Sequence, residues 1–207
     1  VGSLGYIVVE DVDGDGDLDV ISSGSNKFAW YENTNGQGDL SVEHIIPLTN
    51  NSSRVLNTAD LDGDGDKDIL FINRTPNKIG WFENTDGNGT FGPEIILATV
   101  TKPLSILAFD IDNDGDQDIV CDAEQGIRLR WLENNGNTTF TNTYEITNTI
   151  GRVGRMITRD MDADGDLDLV VNNINLPAFV YENESQKKLG NHFLKVNLKG
   201  EQQNTMG

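Results

Sequence analysis

The segment DLDGDGDKDI, at residues 60–69, decides the fold because close copies of it recur along the chain. Similar ten-residue segments begin at Asp11, Asp110 and Asp160, so the four copies follow one another at steps of 49, 50 and 50 residues. Self-similarity with a period of about 20–50 residues is typical of proteins assembled from tandem structural units. The sequence therefore predicts four repeats, at about residues 1–50, 51–100, 101–150 and 151–198.

A second four-residue marker follows each Asp-rich segment, starting 19 to 21 residues after its first Asp. It reads WYEN at residues 30–33, WFEN at 81–84, WLEN at 131–134 and VYEN at 180–183. One short, strand-like apolar run precedes each Asp-rich segment, and a second follows it. A third run includes the marker, and a fourth comes after a Gly- and Asn-rich turn. Four strands in about 50 residues match the size of a propeller blade. We predict an all-β chain: a β-propeller-type array of four four-stranded antiparallel blades, alone or as part of a larger propeller.

Blade packing explains the aromatic residue of the marker. One sheet cannot bury both of its faces, so blades must pack face to face, and apolar burial stabilises by about 25 cal/mol per Å². Trp30, Trp81 and Trp131 share one place in three repeats, and we interpret them as inter-blade core residues rather than as a ligand platform. Cys121, the one cysteine, lies in an apolar run and is predicted to be a buried small side chain.

The Asp-rich segments are the candidate metal sites. Counted from the first Asp, acidic residues occupy positions 1, 3, 5, 7 and 9 of every copy. Carboxylates crowded into one turn repel one another and raise each other's pKa unless a cation lies among them. Ca²⁺ takes about 6–8 oxygen ligands in flexible geometry, whereas Mg²⁺ needs a tighter octahedron and Zn²⁺ prefers the His and Cys that these segments lack.

We therefore predict about four Ca²⁺ ions, one per repeat. The predicted metal-binding residues are Asp11, Asp13, Asp15, Asp17, Asp19, Asp60, Asp62, Asp64, Asp66, Asp68, Asp110, Asp112, Asp114, Asp116, Asp118, Asp160, Asp162, Asp164, Asp166 and Asp168. By analogy with an EF-hand loop, we expect side chains at positions 1, 3, 5 and 9 to bind the ion and position 7 to offer its main-chain carbonyl.

An EF-hand itself is excluded. That motif needs a glutamate at position 12, where this chain has Ser22, Phe71, Cys121 or Val171. The acid at position 9 replaces this ligand and starts the next strand. Glycine recurs at position 6, where it allows a sharp turn, whereas position 4 is Gly, Asn or Ala and so need not be glycine.

Composition excludes two classes of partner. The formal net charge is −19, from 34 acidic and 15 basic residues, which argues against nucleic acid and anionic membranes as ligands of a basic surface. No apolar run has the length of a membrane span, so we expect no membrane insertion. The chain starts inside a strand-like segment, and we expect it to be a mature or excised piece of a longer protein.

At these residues the sequence resembles the FG-GAP/VCBS repeat family, the calcium-bearing blades also found in the integrin α-chain propeller. The resemblance rests on the DxDxDGDxD segment and the strand after it, and it covers roughly residues 1–184. The Phe-Gly and Gly-Ala-Pro tags of the integrin subtype are missing, so the chain is more similar to the VCBS type. The resemblance implies a calcium β-propeller in an extracellular, cell-surface or periplasmic setting. Propellers of this family commonly have more than four blades, which implies completion by a homo-oligomer or a longer parent chain.

Residues 185–207 are assigned to the outer strand of the last blade, to the start of another segment, or to both. The stretch NHFLKVNLKGEQQNTMG, residues 191–207, resembles the opening of the ASPIC/UnbV segment of cartilage acidic protein-like chains. The alternative is that Phe193–Leu198 simply forms the outer strand of the fourth blade.

Three functions stay open at this point. We predict a non-enzymatic module for protein or glycan recognition and adhesion, because rigidly held loops commonly carry recognition. The alternatives are a calcium-stabilised carbohydrate-active enzyme (a lyase or glycosidase) and a structural assembly element. Catalysis needs a convergent acid/base set. His44 and His192 do not recur and have no evident partner, and the glutamates of the marker recur in every repeat, which indicates a structural role.

Overall fold

The computed structural model describes residues 6–24, 27–47, 53–123, 128–136, 138–147, 151–174, 176–184 and 194–195. Within these ranges every regular element is a β-strand, and no helix occurs. The strands form four antiparallel sheets of four strands each. The predicted all-β fold with four blade-like sheets is therefore confirmed.

Each sheet is a meander in which consecutive strands pair. Sheet 1 contains β1 (Tyr6–Glu10), β2 (Asp19–Gly24), β3 (Lys27–Glu32) and β4 (Val42–Ile45). Sheet 2 contains β5 (Ser53–Ala59), β6 (Asp68–Asn73), β7 (Lys78–Phe82) and β8 (Ile95–Thr99). Sheet 3 contains β9 (Ile106–Phe109), β10 (Asp118–Ala123), β11 (Arg128–Glu133) and β12 (Asn142–Thr147). Sheet 4 contains β13 (Arg152–Arg159), β14 (Asp168–Ile174), β15 (Phe179–Asn183) and β16 (Leu194–Lys195).

The short strand β16 is the described part of the predicted outer strand Phe193–Leu198. It pairs Leu194 with Asn183 and Lys195 with Glu182. His192 and the rest of the segment that resembles ASPIC/UnbV lie outside the described residues.

The chain divides into two compact units, Val1–Pro103 with sheets 1 and 2, and Leu104–Gly207 with sheets 3 and 4. The core of the first unit consists of Val12, Ile21, Phe28, Trp30, Ile46, Ile69, Phe71 and Phe82. The core of the second unit consists of Leu107, Phe109, Ile111, Val120, Leu129, Trp131, Val153, Met156, Leu169, Val171 and Tyr181. Each core draws on two sheets, so the sheets of a unit pack face to face. Trp30 and Trp131 are therefore inter-blade core residues, as predicted.

Strand register places equivalent side chains on equivalent faces of the sheets. We call the face that carries the marker tryptophan the trailing face, and the opposite one the leading face. Ile21 and Trp30 lie on the trailing face of sheet 1, and Ile69 and Phe82 lie on the leading face of sheet 2. The core of the first unit joins these two faces. The second unit repeats this arrangement with Val120, Trp131, Leu169 and Tyr181.

The outer strand of sheet 1 holds the marker through an aromatic contact. His44 of β4 stacks on Trp30, with ring centroids 4.2 Å apart and an interplanar angle of 12°. Its Nε2 lies 2.9 Å from Oε2 of Glu32, the marker glutamate. The sequence-based prediction that His44 has no partner is therefore wrong.

Sheet 3 builds the same contact with a tyrosine. The Tyr144 ring centroid lies 4.7 Å from that of Trp131, and the Tyr144 hydroxyl donates to Oε2 of Glu133 at 3.0 Å. In both sheets an aromatic side chain of the outer strand packs on the marker tryptophan, and its polar atom contacts the carboxylate of the marker glutamate. Glu32 and Glu133 therefore serve packing, which is the structural role predicted from their recurrence.

Because the two contacts are equivalent, tyrosine should replace His44 without loss of stability. We expect His44→Tyr to keep the melting temperature within about 2 °C of the wild-type value. His44→Ala removes the ring stack and should lower it by about 2–4 °C, the shift that roughly 1 kcal/mol produces in a chain of this size. Differential scanning calorimetry in saturating calcium measures both shifts, and equal destabilisation by the two variants would contradict the equivalence.

Candidate metal centres

Each Asp-rich segment forms the loop that joins the first strand of a sheet to the second. In sheet 1, β1 ends at Glu10 and β2 begins at Asp19, which is position 9 of the loop. The second strands of the other sheets begin at the same position, at Asp68, Asp118 and Asp168. The acid at position 9 therefore starts the next strand, as predicted.

Two positions of every loop adopt left-handed backbone conformations. At position 6 the φ angles are 92° at Gly16, 99° at Gly65, 101° at Gly115 and 97° at Gly165. At position 4 they are 74° at Gly14, 78° at Gly63, 59° at Asn113 and 61° at Ala163. Position 4 thus tolerates other residues, as predicted, but it keeps the turn. A β-carbon there costs roughly 1 kcal/mol, which is the strain expected at Ala163.

The turns bring three carboxylates together in each loop. In each group, one oxygen from every member lies within 4.8 Å of the others. The groups are Asp11, Asp13 and Asp15; Asp60, Asp62 and Asp68; Asp110, Asp112 and Asp118; and Asp160, Asp162 and Asp168. The third member of the group, beside positions 1 and 3, is position 5 in sheet 1 and position 9 in the other sheets. In the part of the chain that the structure describes, no other group of His, Cys, Asp or Glu side chains reaches this proximity.

Backbone N–H groups orient the carboxylates. The carboxylate at position 1 accepts from the N–H of position 6 in all four loops, over 3.0 Å between Asp60 and Gly65 for example. The carboxylate at position 5 accepts from the N–H of position 7, over 2.9 Å between Asp64 and Asp66. A carboxylate offers about four lone-pair sites. These oxygens therefore keep the capacity to bind a cation.

The carboxylate at position 9 links its loop to the third strand of the sheet. Asp68 Oδ2 accepts from the Leu61 N–H at 2.9 Å, and Asp68 Oδ1 accepts from the N–H of Asn84, the last marker residue, at 2.9 Å. The other three sheets repeat both bonds at 2.8 to 3.0 Å. All four position 9 side chains are buried.

This burial has an electrostatic consequence. Removal from water raises the pKa of Asp68 and of Asp118 to about 7, despite the N–H groups that favour their ionised forms. Neighbouring acids add to the effect, Asp62 beside Asp68 and Asp112 beside Asp118. A cation within the group would reverse this shift, because a nearby positive charge favours the carboxylate.

The side chains at position 7 lie outside the carboxylate groups. A Cβ built at Gly36 would lie 2.6 Å from Asp17 Oδ1, and one built at Gly87 would lie 2.6 Å from Asp66 Oδ1, so these carboxylates rest against glycines of the turn after the marker. In sheet 4, Asp166 Oδ1 accepts from Asn113 Nδ2 of the neighbouring loop at 2.6 Å. These side chains have contacts outside the carboxylate groups, and the main-chain role of position 7 stays a prediction.

The marker asparagine has a role that the sequence analysis missed. Asn84 Nδ2 donates to the Val12 carbonyl in the loop of the preceding sheet at 2.9 Å, and Asn183 Nδ2 donates to the Ile111 carbonyl at 2.8 Å. The same residues donate their backbone N–H to position 9 of their own loops. Recurrence of the Glu-Asn pair in every repeat was the available signal. Each of these two asparagines therefore ties two Asp-rich loops together within one unit.

The donor set fits a hard divalent cation. All members of the four groups are carboxylates, and neither His44 nor Cys121 belongs to any of them. Such oxygen sets suit Ca²⁺ and Mg²⁺, whereas Zn²⁺ and other softer metals favour imidazole and thiolate. Each of the four Asp-rich groups could therefore hold a metal ion.

Comparison with protein families agrees with the repeat seen in the sequence. The sequence profile of the FG-GAP-like repeat matches residues 11–71 and 60–121, which together span more than half of the chain. Both matches begin at the first Asp of a loop and run into the second strand of the next sheet. No curated protein sequence matches the chain. The described residues include no helix of sufficient length and apolarity to cross a membrane.

Two solved structures are similar to this chain. One is a lectin from Agrocybe aegerita that specifically recognises non-reducing terminal N-acetylglucosamine, with a TM-score of 0.65, 21% identity, and coverage of 87% of this chain and 49% of the lectin. The other is the V. cholerae biofilm matrix protein Bap1, with a TM-score of 0.47, 18% identity, and coverage of 88% and 29%. This chain spans about half the length of the lectin, and at this identity the likeness concerns the fold alone.

The raised pKa of the buried carboxyls predicts how the metal-free protein responds to pH. The native state binds these protons more tightly than the unfolded chain, so their contribution to stability is present below about pH 4 and is lost as the pH rises through about 7. In chelator, we expect the carboxyl carbons of Asp68 and Asp118 to titrate near pH 7 by NMR, and bound metal should shift both titrations well below this value.

Asp86 is the internal control for this titration. Its pKa is lowered, chiefly by the N–H of Asn88, so its carboxyl should titrate below the usual range with or without metal. Ordinary titration of Asp68 and Asp118 near pH 4 in chelator would contradict the electrostatic argument.

Proposed function

Because the chain belongs to the FG-GAP-like repeat family, we propose that it is a calcium-binding β-propeller module that recognises a protein or a glycan outside the cytoplasm. The observation that carries the proposal is the recurrence of one oxygen-only carboxylate group at the same place in four sheets. We assign the blades to about residues 1–50, 51–100, 101–150 and 151–198, with residues 185–207 as the outer strand of the last blade or the start of a further segment.

In each loop, we assign calcium binding to the side chains at positions 1, 3, 5 and 9 and to the carbonyl at position 7. Bound calcium neutralises the crowded carboxylates and lets the buried acid at position 9 stay ionised. It also holds the first strand of each sheet to the second. Position 7 suits a main-chain role because its side chain is occupied elsewhere, against Gly36 in the case of Asp17.

Calcium affinity connects the proposal to the setting. Extracellular calcium modules bind with dissociation constants of about 10⁻⁴–10⁻³ M, which calcium outside the cell satisfies and cytosolic calcium does not. The fold supports recognition because rigid sheets present their connecting loops on a stable frame. Two of the residues considered for catalysis have packing roles in sheet 1, since His44 stacks on Trp30 and its Nε2 contacts Glu32.

The second loop offers a matched pair of variants that tests the ligand roles. Asp62→Ala removes a position 3 carboxylate, so calcium stoichiometry by equilibrium dialysis should fall from about four to about three per chain. Asp66→Ala removes a position 7 side chain and leaves the carbonyl in place, so the stoichiometry should stay at about four. Chelator should lower the melting temperature of the wild type, and added calcium should restore it by linkage. Unchanged melting in excess chelator, or equal loss of calcium in both variants, would refute the assignment.

Recognition is tested with the labelled chain on a glycan array and on a panel of extracellular-matrix proteins. We expect binding to one class of ligand in millimolar calcium and loss of that binding in chelator, because the loops lose their fixed conformation. Asp39→Asn, an exposed substitution outside the four loops, is the control and should leave binding unchanged. Ligand binding that persists in chelator would separate recognition from the calcium sites and contradict this part of the proposal.

A further inference from the structure

Sheet 1 exposes an apolar leading face. Ile7 is 69% exposed, Val9 53% and Ile45 63%, although all three are large aliphatic residues in strands. Ile7 and Ile45 belong to one cross-strand row, and Val9 lies two residues from Ile7 on the same face. The equivalent faces of sheets 2 and 4 are buried, as shown by Ile69, Phe82, Leu169 and Tyr181. An exposed apolar face of this kind usually marks an interaction surface.

The contact between sheets 1 and 2 shows how the leading face of sheet 2 receives its neighbour. Trp30 of sheet 1 donates its indole N–H to the Gly89 carbonyl in the turn after the sheet 2 marker, at 3.2 Å. A Cβ built at Gly89 would lie 2.3 Å from Trp30 Cζ2, so only glycine leaves room for the ring. We call this combination of an open glycine and its carbonyl acceptor the tryptophan socket.

Sheet 1 carries the same socket at Gly38. The Gly38 N–H donates to Asn33 Oδ1 at 2.9 Å, as the Gly89 N–H does to Asn84 Oδ1 at 3.1 Å. The φ angles agree, 87° at Gly38 and 76° at Gly89. A Cβ built at Gly38, however, would meet no neighbouring heavy atom within 4 Å. The space that an indole ring fills at Gly89 is open at Gly38.

The marker asparagine of sheet 1 supplies a second matching group. Asn84 and Asn183 each donate Nδ2–H to a carbonyl at position 2 of the preceding loop, over 2.9 and 2.8 Å. Asn33 donates Nδ2–H to the Leu18 carbonyl of its own loop, over a longer 3.2 Å. A further sheet on the leading face of sheet 1 would place the matching carbonyl beside Asn33.

We propose that the leading face of sheet 1 is the docking surface for an additional sheet of this repeat type, one that carries tryptophan at the marker position. The ring of that tryptophan fills the space over Gly38, and its indole N–H donates to the Gly38 carbonyl. Ile7, Val9 and Ile45 are covered by the trailing face of the incoming sheet. The indole selects the partner, since burial of the ring and a satisfied N–H both favour it at such a contact.

This requirement excludes the fourth sheet of a second copy as the occupant. Its marker has Val180 where the other sheets have tryptophan, so it offers neither the ring nor the indole N–H. Head-to-tail docking of two copies would leave the space over Gly38 unfilled, and an unfilled cavity in a packed contact is destabilising.

The direct test extends the full chain with a second copy of residues 1–49, fused before residue 1 so that the 49-residue step of the repeat is kept. The tryptophan of the added copy, equivalent to Trp30, then meets Gly38. In saturating calcium, this form should melt about 2–4 °C or more above the same extension with Trp→Val at that site. Hydrogen exchange in Tyr6–Glu10 should slow in the tryptophan form only. Equal melting and exchange in the two forms would overturn the proposal.

A second experiment needs no extension. The wild-type chain should sediment without association through this face, whereas Val180→Trp should associate in a concentration-dependent manner. Ile7→Lys, placed on the exposed leading face, should abolish that association. Wild-type dimers that Ile7→Lys dissociates would overturn the proposal in favour of a second copy as the occupant, and a Val180→Trp chain that sediments like wild type would overturn the role of the indole.

Discussion

The carboxylate at position 9 is the group on which each repeat depends. Asp68 is buried at the start of β6, where it accepts one N–H from its own loop and another from the marker on the third strand. The same carboxylate belongs to the group formed with Asp60 and Asp62. Burial of a charge is costly without compensation. Two N–H donors lower this cost, and a cation in the group would remove most of the rest. One side chain therefore takes part both in charge neutralisation and in the link between the loop and the third strand.

The hydrogen bonds that begin at position 9 continue to the neighbouring sheet. The marker asparagine donates its backbone N–H to the carboxylate at position 9, and its side chain donates to the preceding loop. The same marker also carries the tryptophan that packs between sheets. Two marker residues, the tryptophan and the asparagine, therefore combine loop anchoring, core filling and inter-sheet hydrogen bonding. This concentration of roles explains why the marker and the Asp-rich loop keep a nearly constant spacing in four repeats.

Recurrence in the sequence was enough to predict the four sheets, the loops between first and second strands, and the buried tryptophans. These features depend on local periodicity and on residue types that have few alternative uses. The left-handed turn at position 4 escaped notice because Asn113 and Ala163 occupy it in two repeats, so no recurrent glycine signals it. The contact between His44 and Glu32 also escaped, because residues twelve apart become neighbours only through the pairing of β3 and β4. Such pairings depend on register, which a single sequence specifies weakly when the outer strand is polar.

In the repeats of sheets 1 and 2, the open glycine lies five residues after the marker asparagine, and the marker tryptophan lies three residues before that asparagine. A duplicated stretch of 49 or 50 residues would therefore bring both halves of its own interface with it. Insertion of such a copy would create no new surface that required separate optimisation, provided that the glycine and the indole were retained. Blade number in this architecture can thus change by whole units wherever the copied repeat carries both the glycine and the tryptophan.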